Sequence, residues 1–362
     1  MKTALLSAGG TGGHIFPAMA VASLLRERGW QVVWLGGRGL HGHPSMESQL
    51  VPKQGFLFES IDFTGVRGKG FARMMSLPFQ LLRACVQSLL ILRRVKPDVV
   101  LVFGGYISFP VGRTAAFIRC PLLVHEQNSV AGMANRHLAK HARRVYSAFP
   151  DVLPHTRWIG NPLRKEFLAV VSPQERYAAR RGPLRMLVLG GSLGAAALND
   201  VVPKALALMP PEARPLVLHQ SGQKQIEQLR ANYLAAGVQA ETRDFIDDTA
   251  ATMADADLVL CRAGATTVAE IAAVGVAAVF VPFPAAVDDH QTSNAMFLVS
   301  QGAGWLVTQQ DLTPDRLARM LTKADRPTLM AAAVAARKMA KLEASERIVE
   351  SCQSIVTKSK SA

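Results

Sequence analysis

The chain has 362 residues, 49% of them hydrophobic and 19% charged, with a formal net charge of +14. That length and composition point to a folded protein with substantial cores and exceed one typical domain, so two α/β domains are expected. The four cysteines, Cys85, Cys120, Cys261 and Cys352, show no CxxC or CxxxC spacing, which speaks against a zinc ribbon, a redox pair or a disulfide scaffold and fits a reducing, cytosolic setting.

In chain order, Thr3–Ala8 is too short and too soon followed by glycines for a signal peptide and reads as a first strand. Gly9-Gly10-Thr11-Gly12-Gly13-His14 follows it and leads into a helical stretch from Phe16 to Gly29. Further strand-like runs fall at Gln31–Gly36, Phe56–Ile61, Asp98–Phe103, Leu122–His125 and Arg144–Ser147, alternating with helical stretches as in a parallel sheet with crossovers. From Phe63 to Pro97 the chain carries seven basic residues, among them Arg67, Lys69, Arg73 and Arg83, and no acidic one, interleaved with Phe71, Leu77, Phe79 and Leu82. An anionic membrane surface and a solvated helix face over an ordinary core both fit that pattern. Arg136, Lys140, Arg143 and Arg144 form a second acid-free basic stretch. Nucleic acid fits less well, because aromatic residues are only 6% and no reader motif is present.

Gly, Asn and Pro punctuate Trp158-Ile159-Gly160-Asn161-Pro162-Leu163-Arg164 as a domain junction would, and the boundary is expected near Pro162. The second half repeats the first, with strands at Arg185–Leu189, Pro215–His219, Gln239–Thr242, Leu258–Cys261, Ala277–Val281 and Gly304–Val307. Its first strand again ends in a glycine turn, Gly190-Gly191-Ser192-Leu193-Gly194-Ala195. The nearly uncharged Ile271–Val287 is broken by Gly275, Pro282 and Pro284, so a buried helix–strand unit is expected and not a membrane span. Pro327–Ala362 reads as helices, the last able to return to the first domain.

Glycine turns of this kind let backbone N–H groups converge on an anion at a helix N-terminus. The first lacks the third glycine of a dinucleotide fingerprint, Ile15 standing in its place, and Trp34-Leu35-Gly36-Gly37-Arg38 offers no carboxylate for a ribose diol. That weighs against a dehydrogenase, and the absence of Gly-Lys-Ser/Thr excludes a Walker loop. Thr11 and Ser192, hydroxyls at matching places, shift the reading toward phosphate or sugar contacts. Gly104-Gly105-Tyr106 and His125-Glu126-Gln127-Asn128 also lie at the carboxyl ends of expected strands, where ligands bind in open α/β sheets. In Cys261–Glu270 a small-residue turn opens a helix that places Glu270 on the same face as Thr266, where a carboxylate can accept both hydroxyls of a ribose. Asp288-Asp289-His290-Gln291-Thr292-Ser293-Asn294 fits sugar hydroxyl recognition, while Asp255-Ala256-Asp257 reads as structural. Nothing in the sequence requires a metal or another cofactor.

Together GGTGGHIFP, GGYISFP, HEQNSVAG, GNPLR, GGSLGA, HQSG and CRAGATTVAE followed by DDHQTSNA resemble the MurG family, over nearly the whole chain and in the same order. These bacterial enzymes add N-acetylglucosamine (GlcNAc) to membrane-borne lipid I in peptidoglycan synthesis. The resemblance implies an α/β fold of GT-B type, two Rossmann-like domains with parallel sheets facing across a cleft. It implies 1–162 as an acceptor and membrane-facing domain joined by a C-terminal helix at about 342–358, and 163–341 as the UDP-GlcNAc-binding domain. UDP-GlcNAc would be donor and lipid I acceptor, at the cytoplasmic face of the inner membrane. Carried over by motif, Ile246 would face uracil, Glu270 ribose, and Ser192 and Arg164 the diphosphate. Thr11, Gly12, Gly13 and Asn128, with Ala265, Thr266, Thr267, Val268, Ala269 and Gln291, would line the sugar pocket. Going from an α-linked donor to a β-linked product needs one inverting displacement and a base. His14 is the first candidate, since an unperturbed imidazole pKa of ~6.5 suits proton abstraction at neutral pH, and Glu126 is the second, with His125 and Tyr106 behind it. The alternative is a non-catalytic peripheral membrane protein that binds nucleotide sugar.

Overall fold

The computed structural model describes residues 1–40, 43–63, 76–191, 194–286 and 289–360. Two compact units divide the chain: Met1–Arg164 with Lys341–Ala362, and Lys165–Ala340.

The first unit contains β1 (Thr3–Ser7), β2 (Gln31–Gly37), a two-residue hairpin β3 (Gly39–Leu40) and β4 (His43–Pro44), β5 (Leu57–Ile61), β6 (Val99–Val102), β7 (Leu122–Glu126), β8 (Arg144–Ser147) and β9 (Arg157–Trp158). Seven of these form one sheet in the order β5-β2-β1-β6-β7-β8-β9, and every pairing in it is parallel. Runs such as Val99-Val100-Leu101-Val102 are apolar throughout because helices cover both faces of the sheet. Ala4, Leu6, Val99 and Leu101 belong to the core that includes Ile348, Val349, Cys352 and Ile355 of the last helix, Ala344–Lys360. Leu5, Val100 and Val102 pack on the other face with Ile91, Val111 and Leu138. The last helix is also held by an Arg28–Glu346 ion pair at 2.7 Å and by a Tyr146–Ser351 hydroxyl contact. β9, at the sheet edge, is an element the sequence patterns did not indicate. Its two residues carry no periodicity, and only pairing with β8 extends them.

The second unit contains β10 (Arg185–Leu189), β11 (Leu216–Gln220), β12 (Glu241–Arg243), β13 (Leu258–Cys261), β14 (Ala277–Phe280) and β15 (Trp305–Leu306). They form one sheet in the order β12-β11-β10-β13-β14-β15, again parallel throughout. Both sheets thus reverse direction of growth after their third strand, the doubly wound order of dinucleotide-binding folds. Among the described residues no helix is long and apolar enough to cross a membrane.

The two units also share a device at the amino ends of their sheets. Asp98, just before β6, accepts the Thr3 N–H at 2.7 Å, and Asp257, just before β13, accepts the Arg185 N–H at 2.9 Å. Each aspartate locks the start of one central strand to the next. Asp257 is fully buried and is further held by Arg180 at 2.8 Å and Arg326 at 3.3 Å, while the Tyr177 hydroxyl donates to its carbonyl. This network fastens the helices Pro173–Ala178 and Arg326–Lys338 to the sheet. Removing Asp257 strands buried guanidinium charge, so Asp257→Ala is expected to lower unfolding free energy by about 3–5 kcal/mol. Asp98→Ala, which removes one hydrogen bond to a part-buried group, should cost about 1 kcal/mol. Urea unfolding of the two variants checks that order.

Candidate active site

Where strand order reverses, connections from adjacent strands leave toward opposite faces and open a crevice at their carboxyl ends. In the first unit the reversal lies between β1 and β6, so the turns after them, Gly9–His14 and Gly104–Tyr106, are neighbours. They touch closely: a side chain at Gly105, where φ is +83°, would collide with the Gly9 carbonyl. Gly104, with φ +91°, lies under the His14 ring, since a Cβ there would sit 3.0 Å from its Cδ2 and 3.2 Å from Asn135 Nδ2. His14 is in the first turn of the helix Gly12–Glu27, with its Nδ1 3.1 Å from the Thr11 hydroxyl. Arg164, at the end of this unit's first segment, lies over the ring of Phe16, two residues beyond His14 on that helix, 5.9 Å from the ring centroid.

His125 and Glu126 are the last residues of β7, one residue longer than the sequence indicated, and both are buried. The His125 imidazole spans from Gln127 Nε2, at 3.1 Å from Nδ1, to the Gly160 carbonyl, at 2.9 Å from Nε2. Burial brings its pKa down to about 4, so the ring is neutral and ties the loop to the junction segment. Glu126 accepts from the Asn128 N–H at 2.9 Å, the Gly132 N–H at 3.1 Å and Asn135 Nδ2 at 2.8 Å, with the Asn128 amide at 3.5 Å. Burial raises its pKa while these donors oppose the rise. The arrangement makes Glu126 the hub of its own loop, with Asn128 oriented by it.

Sequence reasoning missed Glu47. This fully buried carboxylate, in the first turn of the helix Met46–Lys53, accepts from the Gly10 N–H at 3.3 Å and the Gly37 N–H at 3.2 Å. Gly9 and Gly36 lack side chains because a Cβ at either would lie within 2.8 Å of Glu47 atoms. The available signal was the cluster of glycines at two strand ends with no charge to justify them. Its consequence is that the first turn already has an internal anion. The Tyr106 phenol, held up by burial and by the Glu47 charge, flanks the same point.

In the second unit the reversal lies between β10 and β13, which brings the Gly190–Ala195 turn beside Cys261–Glu270. Ser192 and Leu193 lie outside the described residues. Here a neutral amide does what Glu47 does in the first unit. Buried Gln220, at the end of β11, accepts the Gly191 N–H at 3.1 Å. It donates to the Gly191 carbonyl at 3.1 Å and to the Asp244 carbonyl at 3.0 Å. One side chain thus joins the glycine turn to the loop carrying Phe245 and Ile246. Beneath it, neutral His219, its pKa lowered to about 3 by burial, lies 3.0 Å from both Asn199 Oδ1 and the Tyr233 hydroxyl. Asn199 then donates to the Ser221 carbonyl and to Gln225. Neither Gln220 nor His219 was singled out from the sequence, although both sit in the HQSG motif.

The helix Ala265–Val274 begins at Gly264, so Thr266 and Glu270 share a face. Glu270 lies close enough to Cys261 for its charge to raise that thiol's pKa further, after burial. The Thr266 hydroxyl oxygen is buried and makes no hydrogen bond among the described residues. Gln291, in the helix His290–Val299, accepts the Phe283 N–H at 2.9 Å, which fixes its amide. Asn294 donates to the Ala263 carbonyl at 3.2 Å, tying that helix to the start of the Ala265 turn. Asp257, paired as described above, is committed to the opposite end of the sheet from these residues.

Comparison with known proteins agrees with these features. Residues 4–147 match the glycosyltransferase family 28 N-terminal domain and residues 185–351 its C-terminal domain. The chain is 65% identical over 354 residues to the UDP-N-acetylglucosamine--N-acetylmuramyl-(pentapeptide) pyrophosphoryl-undecaprenol N-acetylglucosamine transferase of Albidiferax ferrireducens, covering 98% of this chain and 91% of the relative. It is 58% identical to the protein of the same name from Cupriavidus metallidurans, covering 99% of each. The crystal structure of Acinetobacter baumannii MurG superposes with a TM-score of 0.83 at 39% identity, over 98% of this chain and 100% of that one. The kitacinnamycin glycotransferase, at 16% identity and a TM-score of 0.68 over 96% and 98% of the two chains, shares the two-domain GT-B fold. With both halves of the family matched and near-full-length relatives at high identity, the chain belongs to glycosyltransferase family 28.

Proposed function

We propose that this chain transfers GlcNAc from UDP-GlcNAc to the C4 hydroxyl of MurNAc in lipid I, giving lipid II and UDP with inversion at the anomeric carbon. The observation that carries the reading is the 65% identity, across 98% of the chain, to a relative named for that transfer. The local geometry supports a division of labour between the units. The second unit holds the donor. Its glycine turn is braced by the neutral Gln220 amide and so keeps its capacity for an anion, whereas the first turn already faces the Glu47 carboxylate. Ser192 and the turn amides take the diphosphate, with Arg164 as a cationic partner, while Ile246 meets uracil and Glu270 the ribose. Ala265–Ala269 and Gln291 contact the sugar, and the Thr266 hydroxyl, without a hydrogen bond among the described residues, adds a polar contact there.

The first unit takes the acceptor. In the tautomer whose Nδ1–H donates to the Thr11 hydroxyl, Nε2 of His14 carries the lone pair that receives the C4 hydroxyl proton. Glu126, engaged with three N–H donors within 3.1 Å, orients Asn128 and holds the loop; we assign the base to His14. Thr11, Gly12 and Gly13 present the helix N-terminus to the acceptor side. Departing UDP is stabilised by turn amides and Arg164.

Binding to an anionic membrane, at the cytoplasmic face of the inner membrane, is supported by the helix Leu77–Val95. Phe79, Leu82, Val86 and Leu90 recur on one stripe of it and are 48–76% exposed. Arg83, Arg93 and Arg94 lie on the same helix. Arg67, Lys69 and Arg73 lie outside the described residues.

Labelled UDP-GlcNAc and a lipid I analogue should yield the disaccharide product; UDP binding without any transfer would leave the non-catalytic alternative. In that assay His14→Ala should lower kcat ~10²-fold or more with UDP affinity retained. Gln220→Ala, which frees the turn from the base-binding loop, should weaken UDP binding by about tenfold, roughly 1.4 kcal/mol, and change kcat by much less. Unchanged UDP affinity by calorimetry would remove Gln220 from that role. Leu82→Glu with Leu90→Glu should reduce sedimentation with phosphatidylglycerol vesicles while turnover of a short-chain soluble acceptor stays normal.

A further inference from the structure

Glu47 is a fully buried carboxylate whose two oxygens both serve glycine amides, and among the described residues no arginine, lysine or histidine pairs with it. Taking such a charge out of water is costly, and the positive end of the helix Met46–Lys53 offsets only part of that cost. Helix and sheet have other supports. Ser45 already caps the helix, accepting the Ser48 N–H at 3.1 Å, and β2 is hydrogen-bonded to β1 on one side and to β5 on the other. What Glu47 adds is a link between the end of β2, at Gly37, and the turn after β1, at Gly10, where φ is +90°. Gly37 is gripped twice, because the Ser45 hydroxyl donates to its carbonyl at 2.7 Å.

That link reaches His14 by two routes. Along the chain, Thr11 follows Gly10; its carbonyl accepts the His14 N–H at 3.1 Å and its hydroxyl meets Nδ1 at 3.1 Å. Across the sheet, Gly9 lies against Glu47 Oε1 and its carbonyl closes on Gly105, next to Gly104, on which the His14 ring rests. From this geometry we propose that Glu47 is a positioning residue for the transfer: through the backbone of Gly9 and Gly10 it fixes where His14 meets the acceptor hydroxyl. The inference rests on the transferase reading and on His14 as its base. Two N–H groups require two accepting oxygens, which a carboxylate offers. A glutamine of the same size does not, since its amide nitrogen sets a donor against a donor.

Glu47→Gln in the full-length protein tests the proposal. With UDP-GlcNAc and a lipid I analogue both saturating, it should lower kcat about tenfold or more, while the KM for UDP-GlcNAc, set by the second unit, stays within about twofold. In a His14→Ala background the same substitution should cost less than about threefold more, because a residue that acts through His14 has nothing left to position. Ser45→Ala, which releases the Gly37 carbonyl from the same clasp, should lower kcat by a smaller factor, and it replaces Glu47→Gln if that variant does not fold. Asp98→Ala, at the opposite end of the same sheet, should leave kcat within about twofold. A readout independent of turnover comes from ring resonances of selectively labelled histidine, the His14 signal being assigned by its loss in His14→Ala. That signal should move in Glu47→Gln and Ser45→Ala and stay in place in Asp98→Ala. A wild-type protein that binds UDP but transfers no sugar would sink the transferase reading, and the ring signal alone would then decide the role of Glu47. An unmoved His14 signal, unchanged kcat, a full independent loss in the double variant, or a KM for UDP-GlcNAc that rises as far as kcat falls would overturn it.

Discussion

The reversal of strand order between β1 and β6, and again between β10 and β13, is the constraint that places every candidate functional group. Parallel strands must be joined by crossovers, and right-handed crossovers running outward in both directions from a central pair of strands diverge to opposite faces. The carboxyl ends of that pair are left uncovered. Turns that are far apart in sequence, such as Gly9–His14 and Gly104–Tyr106, are pressed together there so closely that Gly105 has no room for a side chain. At the opposite ends the same pair of strands is locked by Asp98 in one unit and Asp257 in the other. The site ends of the sheets can carry strained, glycine-rich backbone because the other ends are fastened.

Within that shared frame the two units diverge through one buried side chain each. Glu47 brings a full negative charge to the first glycine turn, and the amides of Gly10 and Gly37 point at it. Gln220 brings a neutral amide to the second and spends it on Gly191 and Asp244. A turn whose amides already serve a carboxylate gains little from a second anion, while a turn braced by an amide retains its positive potential. Similar backbones thus suit the opposite tasks proposed for them, one presenting a histidine and the other cradling a diphosphate.

Basic residues are distributed with the same economy. In the second unit Arg180 and Arg326 are consumed by buried Asp257, and Arg176 by the carbonyls of Ala254, Val274 and Gly275. Their charge is structural. In the first unit Arg136, Lys140, Arg143, Arg144 and Arg157 gather around a cavity bounded by the segments 133–145 and 153–157, and among the described residues none of them is ion-paired. An exposed apolar stripe on the helix Leu77–Val95 belongs to the same layer of helices, packed on the core of Leu5, Val100 and Val124.

The amino-acid sequence determined the alternation of strands and helices, the repetition of one scheme in two halves, and the loops in which chemistry would lie. Apolar runs of four to seven residues bounded by glycine are local signals, and most of the expected strands lie within one or two residues of those observed. The missing third glycine at Ile15 and the His14 that follows the turn were equally legible, because they depend only on neighbours in the chain. What the tertiary structure decided is which side chain supports which turn. Glu47 reaches Gly10 and Gly37, Gln220 reaches Gly191 and Asp244, and Asp257 collects Arg180 and Arg326, across separations of 10 to 77 residues. The basic cavity likewise exists only when Arg157 is folded beside Arg143. Periodicity reports that a residue is buried. Its partner is set by strand order and register, which no stretch of sequence contains by itself.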